Sequence, residues 1–499
     1  MSRLISNFAA NAVSAAATAA IAILLIPLYV RVVGVEAYGL IGFYLALRAF
    51  LLILDLGAGA VVNREVARLT ARGSETGEGR DALHTFQGLY WIVGALLGIL
   101  IVVLAPQIAE RWLRAEALPR EEVAAAVRLM GLLIAIQWPA TFYQNALLGL
   151  ERQVVLSAVL TTASIATHVG ALAAMLTLSP RVEVFFFSGI LISALQIVTL
   201  AILYRRSVRF EGAATFRLSA LRHVARFAAG AGAISVTGSI LAHSDKVLLS
   251  SMLSLEQFAH YSLAATVAGA LVIVVTPIFN TFYPRYSSLI ASGREGELRD
   301  LHHFGTQLVT MAVVPAALTV VFFSRDVVEA WTRNAATAAA VAPIAVLLIL
   351  AAAINGLMIL PYALQLAHGW TRAGTVFGIS AVAVYLPLIA SLASAFGAVG
   401  GASGWLILNL VYFFMLAPLT HAKLLPRSLR EWLVSDIAAP TAAAAAIIAA
   451  SALLSRPASE ATRLVHISGT YVAAATGAAF TARRFREWLV QRLAPLRRR

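Results

Sequence analysis

The sequence predicts an all-α integral membrane protein with about fourteen transmembrane helices, and its composition is the first observation behind this prediction. The 499 residues are 60% hydrophobic and only 12% charged, whereas soluble domains carry about 25% charged residues. Apolar runs of roughly 20 or more residues are the second observation, because they suit helices that cross a bilayer rather than the alternating strands of a membrane barrel. Cysteine is absent, which excludes disulfides, thiol catalysis and thiolate metal sites.

The apolar runs follow one another along the chain with short polar loops between them. Six spans form the first half, at 8–31, 38–62, 86–106, 123–150, 153–178 and 184–204. Six more form the second half, at 226–252, 258–283, 304–324, 338–363, 373–395 and 397–422. Two further spans follow, at 436–455 and 464–482. An even number of spans places both termini on the same side of the membrane.

The loops on the two sides of the membrane differ in positive charge. With the N-terminus inside, the inner segments hold 26 of the 38 arginine and lysine residues, the outer loops hold 9 and the spans hold 3. Positive residues concentrate in the cytoplasmic loops of membrane proteins. The sequence therefore predicts a multi-pass membrane protein with cytoplasmic N- and C-termini, and the net charge of +14 does not indicate nucleic acid.

An internal duplication divides the chain. The segment GEGRDALHTF at 77–86 recurs as GELRDLHHF at 296–304, and landmark residues around it recur at separations of 219 to 223 residues. Because each copy holds an even number of spans, both insert in the same orientation and are related by an axis along the membrane normal. We therefore expect a first lobe at 1–215, a second lobe at 216–432, and two extra helices with a basic tail at 433–499. Two six-helix lobes around a central cleft are the geometry of alternating access.

Charged residues inside the apolar runs are the candidate functional residues. Arg48 and Asp55 fall in the second predicted span, seven residues apart, which places them on one face of a continuous helix. Arg128 lies in the fourth span, and Asp245 and Lys246 are neighbours in the seventh. A charged side chain at bilayer depth costs about 2.5–3.5 kcal/mol, so such residues usually face a cavity or a partner. These positions predict a polar, water-filled interior.

Four segments at corresponding places in the two halves carry a family signature. They are IPLYVRVVGVEAYGL (Ile26–Leu40), LDLGAGAVVNREVARL (Leu54–Leu69), SDKVLLSSMLSLEQFAHYSLA (Ser244–Ala264) and INGLMILPYALQLAHG (Ile354–Gly369). Through them the chain resembles the polysaccharide transporters, or oligosaccharide flippases, of the multidrug/oligosaccharidyl-lipid/polysaccharide exporter superfamily. The resemblance implies a two-lobed, twelve-helix core that moves undecaprenyl-diphosphate-linked oligosaccharides from the cytoplasmic to the outer leaflet. The identity of the saccharide does not carry over.

The implied cargo contains a diphosphate, which needs cations in a shielded cavity. Arg48, Lys246 and Arg128 are therefore the expected substrate-binding residues. Asp55 and Asp245 are the expected coupling or gating residues, because a carboxylate in a low-dielectric cavity can exchange protons. Because Asp245 and Lys246 point about 100° apart on a helix, we expect them to face different neighbours.

Each candidate also has a structural alternative. Arg48 can join helices through an ion pair with Asp55 or Asp245. Arg128 can snorkel to the membrane interface, and Asp55 can tie an arginine of a loop. Tyrosines near the span ends are expected in an interfacial aromatic belt. The acidic residue of the duplicated motif is expected to cap the following helix, with the preceding arginine on lipid phosphates.

Three alternatives to an oligosaccharide flippase stay open. They are a cation-coupled multidrug exporter of the same superfamily, a flippase for the peptidoglycan precursor lipid II, and a membrane glycosyltransferase or ligase. An exporter favours an acid-rich aromatic cavity, and a glycosyltransferase needs a large outer loop, whereas the longest outer loop, 107–122, is short.

No enzymatic activity is expected, and no P-loop for ATP hydrolysis is present. The expected partners are a lipid-linked oligosaccharide, membrane lipids and polysaccharide polymerase or glycosyltransferase machinery. No metal or other cofactor is expected apart from a coupling ion, which is a proton or sodium.

Overall fold

The computed structural model describes residues 18, 20–72, 77–208, 215–217, 238–370, 372–454 and 459–493. Within these ranges the chain is helical almost throughout and forms no β-strand, which confirms the all-α class. Ten of the described helices are long and apolar enough to cross a membrane, by length and composition. The count of about fourteen spans stays a prediction, because the first and seventh predicted spans begin outside the described residues.

The chain separates into two compact units, Met1–Ala259 and His260–Arg499. The predicted lobes at 1–215 and 216–432, the separate segment at 433–499 and the predicted cleft stay predictions. In the described part of the first unit, helices α1 to α8 span Ala20–Val33, Val35–Leu51, Ala58–Arg72, Gly77–Gln107, Arg120–Gly149, Gln153–Thr177, Val182–Ser207 and 238–252.

Small residues bring the helices of the first unit close together. A Cβ atom on Gly98 of α4 would lie only 2.9 Å from the backbone oxygen of Gly131 on α5. Close backbone approach at small residues is the usual way in which helices associate in a membrane, where the hydrophobic effect between helices is weak. The apolar cluster around α5 is completed by aromatic rings, with Phe142 edge-on to Tyr204 at a centroid distance of 5.5 Å.

The second unit begins within α9. Helices α9 to α16 span Leu255–Ala291, Glu295–Thr332, Ala335–Leu357, Ile359–Ala367, Arg372–Leu424, Leu429–Leu453, Glu460–Thr481 and Arg483–Leu493. The two extra helices, α14 and α15, pack on α10 through a cluster that includes Met311, Ala444 and Ala474. These three side chains are at most 9% exposed, so α14 and α15 share a core with α10.

The second predicted span is not continuous. Helix α2 ends at Leu51, a 3-10 turn follows at Leu52–Asp55, and α3 begins at Ala58. Leu56 and Gly57 between them have positive φ angles of 48° and 81°, a left-handed conformation that glycine adopts readily. The prediction of one helix over 38–62 is therefore wrong, because the helical stretch that holds Arg48 and Asp55 ends at Asp55.

Helix α13 contains 53 residues, but it is two spans that fold into a hairpin. A straight helix of that length would be about 80 Å long, far more than the hydrocarbon core of about 30 Å. Gly397 breaks the helix with φ 59° and ψ −138°. On either side of this glycine, Tyr385 lies 5.9 Å from Trp405 and Phe377 lies 5.2 Å from Tyr412, measured between ring centroids. The two arms are therefore antiparallel neighbours, in agreement with the separate spans predicted at 373–395 and 397–422.

The duplicated motif makes a corresponding contact in each unit. In the first unit, the Thr85 hydroxyl of the motif accepts a hydrogen bond from the backbone N–H of Arg217 at 3.0 Å. In the second unit, His303, at the matching position of the motif, contacts Asp436. The partners are 132 and 133 residues apart in sequence. Each copy of the motif thus holds the chain segment that follows its sixth predicted span, which supports the duplication.

The predicted capping role of the motif aspartate is wrong. Both α4 and α10 begin more than one turn before it, so the first backbone N–H groups of these helices lie elsewhere. Asp81 binds Thr215 instead, and Asp300 contacts the guanidinium of Arg484 on α16. The preceding Arg299 donates a hydrogen bond to the backbone oxygen of Pro426 at 3.2 Å. The motif therefore ties protein segments together.

Candidate functional site

A row of polar side chains crosses the first unit and ends at Arg48. Arg48 lies in the last turn of α2, where its side chain is exposed and interacts with the Tyr44 hydroxyl one turn earlier. Tyr44 donates a hydrogen bond to Oε1 of Gln137 on α5 at 2.6 Å. The Gln137 amide donates to the hydroxyl of Ser193 on α7 at 3.1 Å. We call these four residues the polar row.

The polar row fixes the surroundings of Arg48 without neutralising its charge. Tyr44 is only 4% exposed, and its ring is held edge-on against Phe186 at a centroid distance of 5.6 Å. Arg48 forms no ion pair with any carboxylate among the residues that the structure describes. The alternative in which Arg48 joins helices through Asp55 or Asp245 is therefore wrong. An exposed guanidinium whose charge no described carboxylate neutralises suits a phosphate oxygen, which accepts hydrogen bonds from its N–H groups.

Asp245 and Lys246 on α8 pair with each other. Nζ of Lys246 lies 3.4 Å from Oδ2 of Asp245, which is buried, while Lys246 is half-buried. The flexible lysine side chain reaches back to the carboxylate, and the expectation that the two residues also face different neighbours stays a prediction. Helix α8 is anchored nearby, where the indole N–H of Trp112 donates to the Ser250 hydroxyl at 2.9 Å. This anchor fixes the position of the pair within the first unit.

Asp55 joins the end of the 3-10 turn to two other helices. Its Oδ1 accepts a hydrogen bond from the Tyr90 hydroxyl on α4. Its Oδ2 accepts one from the backbone N–H of Gly59, in the first turn of α3, at 3.0 Å. A carboxylate there satisfies a helix-end N–H and suits the positive end of the helix dipole. The expected tie to an arginine of a loop is wrong, since the partners of Asp55 are a tyrosine and a backbone amide.

We expect the Asp55→Ala substitution to lower the free energy of unfolding by about 1–3 kcal/mol, because it leaves Tyr90 and the Gly59 amide without their acceptor. Thermal unfolding of the purified protein in detergent measures this loss. The Tyr90→Phe variant is the matched control, since it removes only the donor and should cost less. If Asp55→Ala is as stable as the wild-type protein but its transport depends differently on pH, Asp55 acts in coupling transport to an ion instead.

Arg128 lies two turns into α5 with an exposed side chain. It forms no hydrogen bond or ion pair with another residue in the described ranges, and no such contact joins it to Arg48 or Lys246. The structure thus places all three predicted cations in the first unit. Each stays a predicted contact for the cargo.

Aromatic residues form a second candidate surface, which lies in the second unit. Phe279 on α9 stacks on Tyr283 at a centroid distance of 5.6 Å and on Tyr362 of α12 at 6.1 Å. Tyr412 on α13 lies near the Tyr362 hydroxyl. We call these four residues, three tyrosines and Phe279, the tyrosine group. All are half-buried, and the three hydroxyls form no hydrogen bond with any described residue. Three helices bring these side chains together, and their expected place in an aromatic belt stays a prediction.

The described residues contain no group of three or more histidine, aspartate or glutamate side chains that could hold a metal ion. The polar row and the tyrosine group instead offer a cation, hydroxyls and aromatic faces. Aromatic faces and hydroxyls suit a sugar, and a guanidinium suits a phosphate.

Sequence reasoning identified Arg48 but missed the residues that position it. Gln137 is a polar residue in the middle of an apolar span, which is the signal that would have found it. Tyr44 lies one turn before Arg48, and its role was hidden because a tyrosine in a span also suits ordinary packing. The tyrosine group was missed because its members are far apart in sequence and meet only through the fold.

The sequence model of a family described as "Polysaccharide biosynthesis protein" matches residues 4–290, which is more than half of the chain. No curated protein matches the chain in sequence.

Solved structures with a similar fold are transporters. The lipid II flippase MurJ in an inward closed conformation is 12% identical, with a TM-score of 0.72 over 96% of this chain and 99% of MurJ. A multidrug resistance MATE family transporter of the MOP superfamily, in an inward-facing conformation, is 14% identical with a TM-score of 0.66 over 81% of this chain and 95% of its own. A MOP superfamily transporter from Pyrococcus furiosus is 13% identical with a TM-score of 0.58 over 85% of this chain and 96% of its own. At these identities the similarity establishes the fold alone.

Proposed function

Because the chain belongs to the polysaccharide biosynthesis protein family and has the fold of MOP superfamily transporters, we propose that it is a lipid-linked oligosaccharide flippase. Its cargo would be an oligosaccharide on a polyprenyl diphosphate, moved from the cytoplasmic to the outer leaflet of a prokaryotic inner membrane. The N- and C-termini would be cytoplasmic, as the distribution of positive charge in the loops indicates. The polymerase or glycosyltransferase machinery of the same pathway would be its partner.

The polar row carries this proposal. A diphosphate that joins a polyprenol to a sugar is a dianion that must leave water during transfer, so it needs a positive charge that no protein carboxylate has already neutralised. Arg48 is such a charge within the described residues, and its planar guanidinium can donate two parallel hydrogen bonds to phosphate. Tyr44 is held beside it by Gln137. The row therefore presents a positioned cation to one side of the headgroup.

The other charged residues would act at other stages of transfer. Lys246 would meet the diphosphate as a point charge when it exchanges Asp245 for phosphate, so the Asp245–Lys246 pair would act as a gate. Arg128, two turns into α5, would meet the headgroup near the predicted outer face. Asp55 would act on gating through its bond to Tyr90.

The tyrosine group would bind the sugar part of the cargo. Pyranose rings have apolar C–H faces that stack on aromatic rings, and their hydroxyls bond to phenol hydroxyls. The hydroxyls of Tyr283, Tyr362 and Tyr412 have no protein partner in the described part of the chain. The polyprenyl tail would stay in lipid, and alternating access of the two repeats would move the headgroup, driven by a proton or sodium gradient.

Competition between cargoes in proteoliposomes tests this proposal against its rivals. Transfer of a fluorescent polyprenyl-diphosphate oligosaccharide should be inhibited by the unlabelled oligosaccharide lipid, and less by lipid II or by ethidium. Stronger inhibition by lipid II would favour the precursor flippase, and efflux of ethidium would favour the drug exporter. Formation of a new glycosidic bond in the same vesicles would favour a glycosyltransferase.

We expect the Tyr362→Phe substitution to reduce the affinity for the oligosaccharide lipid about three- to ten-fold, since one hydrogen bond contributes about 0.5–1.5 kcal/mol. The ring stays in place, so the packing on Phe279 should be kept. Concentration dependence of the initial transfer rate measures the change. Tyr471→Phe is the matched control, because Tyr471 lies exposed on α15, and it should transfer at the wild-type rate. Equal affinity in both variants would remove Tyr362 from the sugar site.

A further inference from the structure

A buried polar cluster lies where α10, α13, α14 and α16 meet in the second unit, and it has no part in the proposed cargo binding. It contains His302, His303 and Gln307 of α10, His421 of α13 and Asp436 of α14, each at most 1% exposed. Polar groups buried this deeply are costly unless each finds a partner. The hydrogen bonds of the cluster therefore report which of its groups carry protons.

His302 and His421 are neutral, because their hydrogen bonds run in one direction. The backbone oxygen of Ala417 can only accept, so Nδ1 of His421, 2.8 Å away, is the donor. Nε2 of His421 then accepts a hydrogen bond from the Nε2–H group of His302, at a distance of 3.2 Å. Nδ1 of His302 accepts from the Tyr286 hydroxyl at 3.3 Å. Every group in this row is satisfied without a positive charge.

His303, the next residue, has a different environment because it faces two carboxylates. Its Nδ1 contacts Oδ2 of Asp436, and its Nε2 lies 3.4 Å from Oε2 of Glu431. Nε2 makes no aligned hydrogen bond with a described residue, but a carboxylate on either side of the ring favours the doubly protonated imidazolium by Coulomb attraction. The other oxygen of Asp436 accepts from the Gln307 amide at 2.8 Å. His303 is therefore the positive charge that balances Asp436.

The charged side chains around His303 and Asp436 are more exposed than the pair itself. Arg484 of α16 donates to Oε1 of Glu431 at 2.8 Å and contacts Asp300 of α10. The side chains of Glu431 and Asp300 are 43% and 70% exposed, whereas those of His303 and Asp436 are 0% exposed. Arg483 of the same helix also attracts Glu431. The imidazolium of His303 is the cation in contact with Asp436, so loss of its proton leaves that buried carboxylate without the positive charge beside it.

We propose that His303 and Asp436 form a proton-binding site whose occupied state holds the start of α14 against α10, with Glu431 exchanging the proton with water. Asp436 lies in a π-helical turn, Trp432–Ala438, a distortion that often marks functional sites in helices. The indole N–H of Trp432 donates to the Thr306 hydroxyl at 3.1 Å in the same contact. Because the docked state binds the proton and the neutral pair leaves Asp436 unbalanced, docking is strongest at low pH and weakens as the pH rises.

Thiol labelling tests this proposal, because the chain contains no cysteine. Ser428→Cys places a reporter at the start of α14, where Ser428 is 1% exposed. Arg430→Cys, at an exposed position, corrects for the reactivity of the thiol itself. In nanodiscs the ratio of the two maleimide labelling rates should rise with pH, by up to about ten-fold per pH unit once the proton is lost.

Two variants in the Ser428→Cys background identify the residue that carries the proton. In Asp436→Asn the amide oxygen can accept from Gln307 while its N–H donates to a neutral His303, so no proton is needed. The ratio should then stay low at every pH. The His302→Gln variant changes only the hydrogen bonds among Tyr286, His302 and His421. Its labelling ratio should therefore keep the pH dependence of the unmodified site.

A ratio in the unmodified site that does not change with pH would overturn the proposal. An Asp436→Asn variant whose labelling ratio rises with pH as much as that of the unmodified site would also overturn it. A labelling ratio in this variant that is high at every pH would do the same. The labelling needs no cargo, so its result is independent of the proposed flippase activity.

Discussion

The Arg48→Ala variant should transfer the oligosaccharide lipid about 10- to 100-fold more slowly than the wild-type protein, because a charge-assisted hydrogen bond contributes about 1.5–3 kcal/mol. The lost group is an exposed guanidinium that no described carboxylate neutralises. Its removal leaves Tyr44 and the rest of the polar row in place. The effect should therefore appear in transport and not in stability.

Two further variants separate charge from geometry at this position. Arg48→Lys keeps the charge but loses the bidentate fork, so it should recover part of the rate. Gln137→Leu keeps Arg48 but removes the acceptor of the Tyr44 hydroxyl, and should give a smaller loss than Arg48→Ala. Arg152→Ala removes an exposed arginine from the loop before α6 and serves as the control. A wild-type rate in Arg48→Ala would exclude Arg48 from cargo binding.

The Gly400→Ala variant should be the most destabilising single-methyl change in the hairpin of α13. A Cβ atom at this position would lie 1.9 Å from the backbone oxygen of Leu392 and 3.0 Å from the nitrogen of Ala393. Backbone atoms cannot move aside as a side chain can, so the two arms of the hairpin must separate. We expect a loss on the order of 3 kcal/mol in the free energy of unfolding, at the upper end of the effects of overpacking.

Gly469→Ala is the matched control for this substitution. Gly469 also lies inside a helix, α15, but a Cβ atom there meets nothing within 4 Å. Alanine is the better helix former by about 1 kcal/mol, so this variant should be at least as stable as the wild-type protein. Thermal unfolding in detergent compares the two. Equal midpoints would show that the arms of α13 do not meet as closely as the structure has them.

The fold class and the separate arms of α13 could be predicted from the sequence because length and hydropathy determine which segments cross a membrane. Helix breaks inside an apolar run are harder to predict. Gly397 and Gly57 both interrupt helices at positive φ. Only Gly397 lies between two apolar segments that are each long enough to cross the membrane. The run from Tyr38 to Asn63 gave no reason to expect a turn at Leu56.

Candidate charges could be found from the sequence, but their partners could not. Burial cost alone marks Arg48 and Asp245 as unusual residues in apolar runs. The Tyr90 and Gly59 contacts of Asp55 depend on a helix break that the sequence pattern hides. His303 and Asp436 are 133 residues apart and meet only because α14 packs on α10, which hydropathy does not specify.

The initial rate at which a polyprenyl-diphosphate oligosaccharide crosses the bilayer of proteoliposomes tests the proposed function most directly. An impermeant reagent that modifies only the outward-facing sugar measures this rate, and the same saccharide on a monophosphate carrier provides the comparison. We predict transfer that requires the protein and is faster for the diphosphate than for the monophosphate. Transfer no faster than in protein-free liposomes would contradict the account.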